Sequence, residues 1–223
     1  MLIKKRFNDK HDPDSGQFAP KNGGGSGGSG KGSGGKGGSG SGYKKYEGNT
    51  DIEKGQPSID YQKQVDTWEK QKAVNTYTAS EDKLLNYENI NAYLNGKKDF
   101  TPDEQKKLDE VVNNLDSCFG KTDEDMICYR GIAIKKDGLN VGDEIFNKGF
   151  TSTSYNKGIA DDFSNYYGGS TIEIKVKKGT NALFIGYHTS GNFDEAEVLF
   201  GRGAKIKITE VGDNGVKGEL VYE

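Results

Sequence analysis

The chain has 223 residues and a formal net charge of −3, enough length for one good core, but the charge is split: residues 1–46 carry nine Lys/Arg against three Asp, and residues 47–223 carry 22 basic against 31 acidic side chains. An acidic main body argues against a reader of DNA or RNA, whose affinity rests on neutralising phosphates. No stretch is apolar and long enough to span a bilayer, and the start, MLIKKRFNDKHDPDSG, lacks the apolar run of a secretory signal.

In chain order, residues 1–22 form a short basic tail. Residues 23–42 hold 13 of the 33 glycines and read as a Gly/Ser-rich flexible linker. Residues 43–223 are then one domain of ordinary size. The tail suits an acidic surface; a merely solubilising role is the alternative. Within the domain, 58–74 suits a helix with Ile59, Val65 and Trp68 towards the core. Ser80 is a fair N-cap for a second helix, in which Leu84, Tyr87, Ile90 and Leu94 recur at helical spacing and Asn95-Gly96 ends the run. Thr101-Pro102-Asp103-Glu104 carries a capping box with Pro at the first helical position. Leu108, Val111, Val112 and Leu115 give that third helix its apolar face.

After Gly120 the pattern turns short and alternating, bounded by Gly, Asn or Asp. Strands are predicted over 126–134, 143–154, 170–176, 182–187, 195–200, 204–211 and 218–223, with one short helix over 155–165. Helices first and strands after is an α+β layout. Cys118 and Cys128 are two cysteines in a large chain, not a disulfide framework, and both read as reduced, a single bridge being the alternative. His11 and His188 stand alone, and no spacing suits a metal site. The chain uses 28 lysines but only three arginines, Arg6, Arg130 and Arg202.

Three features stand together in this frame. Arg130 lies among apolar neighbours in a predicted strand, where it needs an anionic partner. Ser152-Thr153-Ser154 ends a strand after Phe150. Glu195 and Glu197 are two apart, so on an extended strand they project from one face, a costly pairing unless it is used. Taken singly, each has a bland reading: an internal Arg–Glu pair and an ordinary turn.

As a set, YRG, then GFTSTS, then EAEVLFGRGAKIKI resembles the arginine, Ser-Thr-Ser and Glu-x-Glu signature of the mono-ADP-ribosyltransferase toxins. The lead-in VNTYTASEDKLLNYENINAYLNG resembles the opening helices of the actin- and Rho-modifying members. The likeness covers roughly residues 60–212. It implies two facing, mainly antiparallel β-sheets with a helical flank, enclosing a cleft for NAD as co-substrate, and no metal. It also implies transfer of ADP-ribose from NAD to a protein arginine, with side hydrolysis of NAD, by a monomer.

By the same resemblance, Glu197 is the catalytic glutamate, Ser152 the serine that positions it, and Arg130 the arginine that binds NAD phosphate. Gly131, Phe163, Tyr87, Asn91, Thr153 and Ser154 fall at cofactor-binding positions. Breaking the nicotinamide–ribose bond builds positive charge on the ribose, which a fixed carboxylate stabilises. Glu195 goes with arginine as acceptor: a guanidinium stays protonated at neutral pH, so it must be oriented and relieved of a proton, and a carboxylate does both. Asn95 and Tyr166 stand where relatives often carry basic residues, which implies weaker NAD binding. The tail RFNDKHDPDSGQFAPKN more weakly resembles segments of phage head proteins, which implies carriage in a virion and action in a host cytoplasm. The competing readings are a binding or virion-interaction module with a vestigial cleft, and a glycosidase. Same-strand glutamates cannot flank a scissile bond, which disfavours the glycosidase.

Overall fold

The structure, a computed structural model, describes residues 42–45, 64–78, 82–186 and 196–222. The expectations for Ile59, Ser80, His11, His188 and Glu195 lie outside the described residues.

Among the described residues three helices lead: α1 (Trp68–Thr78), α2 (Tyr87–Leu94) and α3 (Pro102–Asp116). The capping box of α3 is formed, with the Glu104 carboxylate accepting from Thr101 N–H at 2.8 Å and the Thr101 hydroxyl accepting from Glu104 N–H at 3.4 Å. The second helix begins later than predicted. The Asp82 carboxylate accepts from Leu84 and Leu85 N–H at 2.7 Å each, a local turn that competes with a helical start. Asn86 is the N-cap instead. Trp68 is a second correction. It opens α1 and is 73% exposed, while Ala73, Val74 and Tyr77 form the buried face.

The strands are β1 (Gly120–Lys121), β2 (Met126–Ile132), β3 (Glu144–Phe146), β4 (Thr151–Ser154), β5 (Ser170–Val176), β6 (Asn181–Gly186), β7 (Glu197–Phe200), β8 (Lys205–Gly212) and β9 (Gly215–Val221), with α4 (Lys157–Tyr166) after β4. The predicted strand over 143–154 is two strands. β3 joins β8 at one edge, whereas β4 sits between β7 and β2. The order is β1-β6-β7-β4-β2-β5-β9-β8-β3. Among these nine strands, within the described residues, β5–β9 is the one parallel pair. The fold is α+β, and the two expected sheets are continuous through a narrow seam, since β2 and β4 share the single Cα pair Tyr129↔Ser154.

Alternation places each face. Ala182, Phe184, Val198 and Phe200 join Cys128, Ile172, Ile174, Ile206 and Val216 in one core between the two halves. Leu183, Ile185 and Leu199 point the other way, onto α1, α2 and α3. Gln64 binds the backbone of β6, donating to Ala182 C=O at 2.8 Å and accepting from Phe184 N–H at 3.3 Å. Near the N-terminus, Lys44 bridges to Met126 in parallel, and Tyr43 lies beneath the Lys177 ammonium, 4.6 Å from its ring centroid.

α4 packs on the outer face of β2 at Gly131. A Cβ there would lie 2.4 Å from Ala160 C=O and 2.7 Å from Phe163 Cβ. Gly131→Ala is therefore expected to destabilise the domain by about 3 kcal/mol, the upper end of the overpacking range, because backbone cannot yield as a side chain can. Urea unfolding reads this directly. A variant within about 0.5 kcal/mol of the parent would mean that α4 rides freely on β2.

Candidate active site

Arg130 on β2 is 6% exposed, and its Nη1 donates to Ser152 C=O on β4. Glu197 opens β7 and is fully buried. The Ser152 hydroxyl donates to Glu197 Oε1 at 2.6 Å. Glu197 Oε2 is buried with no hydrogen-bond partner among the described residues. Arginine, serine and glutamate thus meet at the seam, one from each of three adjacent strands.

The Ser-Thr-Ser run explains why Glu197 is held there. β4 and β7 pair antiparallel with Ser152↔Leu199 and Ser154↔Glu197 in register. Thr153 Oγ1 donates to Val198 C=O at 2.8 Å, and Ser154 Oγ donates to Ala196 C=O at 3.4 Å. The two hydroxyls thus bind the backbone on either side of Glu197, at Val198 and at Ala196.

Ala196, directly before Glu197, has φ +47°, the left-handed region that a non-glycine residue adopts at a cost of about 1–2 kcal/mol. The strand begins only at Glu197. Which face Glu195 takes lies outside the described residues.

Burial dominates the electrostatics. It pushes the Glu197 carboxyl up to about 7, against the opposing pull of the Ser152 hydroxyl and Arg130. Burial also lowers Arg130 to about 10, with Tyr77 and Glu197 acting in the other direction. Tyr77 lies in the helical lead-in, but nothing in the sequence singles it out. It is fully buried on α1, acts electrostatically on both Arg130 and Glu197, and stacks edge-on against Phe150 at 5.5 Å. The available signal was its place three residues after Val74, a polar-tipped ring on an apolar helix face.

Asn91 joins three elements. Its Nδ2 donates to the Tyr77 hydroxyl and its Oδ1 accepts from Phe150 N–H, both at 2.9 Å, and the residue is fully buried. Its amide is committed to joining α1, α2 and the entry to β4. Asn95 acts alongside it, donating to Asn147 Oδ1 at 2.7 Å and accepting from Lys148 N–H at 3.1 Å. Asn95 thereby ties the end of α2 to the segment before β4. Tyr87 is buried, with its hydroxyl donating to Glu88 Oε1 at 3.2 Å. Phe163 is half-buried on the face of α4 that meets Gly131.

Cys118 and Cys128 are free and buried. Among the described residues no group of three or more His, Cys, Asp or Glu could hold a metal ion, and no helix is long and apolar enough to cross a membrane. An open groove of about 460 Å³ lies at the far end of β7, where Arg202 Nε donates to Asp116 at 3.1 Å; it is remote from Glu197.

Residues 53–221 match the model of the ADP-ribosyltransferase exoenzyme family. A curated relative, the NAD(+)–arginine ADP-ribosyltransferase EFV of Enterococcus faecalis, is 32% identical over 131 residues, 56% of this chain. The matched stretch is 26% of that protein, so this chain spans about a quarter of the relative's length. Among solved structures, C3stau2 from S. aureus with NAD superposes with a TM-score of 0.58 at 16% identity, over 82% of this chain and 100% of that one. The C3 exoenzyme of Clostridium limosum gives 0.56 at 19% identity, over 80% and 97%. The ADP-ribosylating toxin BECa of C. perfringens, solved with NADH, gives 0.54 at 20% identity, over 74% and 46%. At these identities the structural likeness speaks for the fold.

Proposed function

The chain belongs to the ADP-ribosyltransferase exoenzyme family, and on that premise we propose that it uses NAD as co-substrate and transfers ADP-ribose to an arginine side chain of a target protein, with slow NAD hydrolysis when no acceptor is present. One observation carries the reading: a buried glutamate with one oxygen held by Ser152 and the other unpartnered among the described residues, beside a buried arginine.

Each group has a task. Glu197, once ionised, sets a fixed negative charge where the ribose becomes positive as nicotinamide leaves. Ser152 prevents the carboxylate from rotating away. Arg130 binds the pyrophosphate, for which a planar fork suits better than an ammonium. Tyr77, Asn91, Thr153 and Ser154 keep these three in place. Arginine as acceptor is supported by the name of the Enterococcus relative and by Glu195 two positions before Glu197.

The test is Glu195→Gln, with nicotinamide release and protein labelling read side by side. Labelling of arginine should fall by about 10²-fold while slow hydrolysis persists, because glutamine orients a guanidinium but cannot take its proton. Labelling at the parent rate would contradict arginine transfer by this route. Equal loss of both activities would place Glu195 on the ribose instead.

A further inference from the structure

β3 ends at Phe146 beside β8, and β4 begins at Thr151 between β7 and β2. Residues 147–150 carry the chain from one half of the sheet to the other and belong to no strand. Their buried backbone groups therefore need partners outside a sheet ladder. Asparagine side chains supply them. Lys148 N–H donates to Asn95 Oδ1 at 3.1 Å, Gly149 N–H to Asn147 Oδ1 at 2.9 Å and Phe150 N–H to Asn91 Oδ1 at 2.9 Å. Asn147 Nδ2 donates in turn to Phe150 C=O at 2.8 Å.

Asn147 ties this crossing together. It is 6% exposed, closes the turn from Gly149 N–H to Phe150 C=O, and accepts from Asn95 Nδ2 at 2.7 Å. The packing admits only glycine at 149, where a Cβ would lie 2.1 Å from Asn91 Oδ1 and 3.2 Å from Asn147 Oδ1. Phe150 is fully buried, stacked on Phe119 with centroids 5.6 Å apart and set edge-on to Tyr77. With its N–H, its C=O and its ring all held, Phe150 fixes where β4 starts. Two residues on, the Ser152 hydroxyl donates to Glu197 Oε1 at 2.6 Å, and Ser152 C=O accepts from Arg130. β4 pairs with β7 through four residues but with β2 through the single pair Tyr129↔Ser154, so its placement towards Arg130 leans on this anchored run-in.

We infer that Asn147 is a positioning residue for the reaction: by clamping Phe150 it sets Ser152 against Glu197 and Arg130. The inference rests on the catalytic reading of Glu197 and Ser152 above. Asn147→Asp keeps the size and the acceptor for Gly149 and Asn95, but an ionised carboxylate donates nothing to Phe150 C=O. At pH 8, kcat for acceptor-free nicotinamide release should fall roughly tenfold with KM for NAD within about threefold, the scale of a catalytic group displaced by a fraction of an ångström. Ser152→Ala removes the hydroxyl through which Asn147 acts. In that background Asn147→Asp should cost less than about twofold more, since residues acting through one contact do not add. Asn147→Ala, which brings no buried charge, should repeat both results. Each variant is assayed below its own melting transition. Additive losses in the cycle, or a lowered melting temperature with kcat within about twofold of the parent, would make Asn147 a stabiliser of the fold alone and overturn the inference. A folded parent that released no nicotinamide would instead sink the catalytic reading of Glu197, before any variant is compared.

Discussion

Glu197→Gln is expected to remove nicotinamide release and protein labelling together, by about 10²-fold or more, the usual scale for losing one transition-state electrostatic partner. Glutamine has nearly the same shape and still offers an oxygen to the Ser152 hydroxyl, which lies 2.6 Å from Glu197 Oε1. Only the charge goes. That charge is costly to the fold, since burial raises the carboxyl from 4.5 to about 7. The sign follows from linkage. The protonated form is favoured in the folded state, so its stabilisation is full below about pH 4.5 and is lost as pH rises through about 7, an amount on the order of 3 kcal/mol. Two results follow. Parent turnover at low NAD should climb through an apparent pKa near 7, because the ionised form does the chemistry. The melting temperature of Glu197→Gln should gain on the parent between pH 5 and pH 8. A pH-independent gap in melting temperature would mean that Glu197 is ionised across that range.

Arg130→Lys should cost about tenfold or more in KM for NAD while keeping the formal charge. A lysine ammonium is a compact point charge and cannot make a two-pronged contact with phosphate oxygens. At 6% exposure it is also poorly placed, for burial that already lowers the arginine to about 10 favours a neutral amine still more. The bond from Nη1 to Ser152 C=O couples β2 to β4 at the seam, so the variant should lose some stability as well. Nicotinamide release measured against NAD concentration separates the two effects. Unchanged KM with lowered stability would make Arg130 a structural partner of Glu197 and nothing more.

Much of this was legible because its signals are local. The Thr101–Glu104 capping box, the alternation of β5 to β9, and the order of Arg130, Ser152 and Glu197 can all be seen in short windows of sequence. What was missed depends on partners far along the chain. Asn91 is a helix residue in the sequence, and its task is set by Phe150, 59 positions away. Tyr77 gains meaning only when α1 is laid against β4 and β7. The left-handed backbone of Ala196, directly before Glu197, is a local feature that periodicity does not encode. The same holds for α2, where an aspartate turn displaced a predicted cap.

The most direct measurement uses NAD labelled in both the nicotinamide ring and the adenylate phosphate, incubated with the full chain and a bacterial lysate near pH 8. Release of free nicotinamide, accompanied by adenylate label on protein that maps by mass spectrometry to arginine side chains, is the result expected of an arginine ADP-ribosyltransferase. Nicotinamide left unreleased by the folded chain, or label mapping to residues other than arginine, would contradict it.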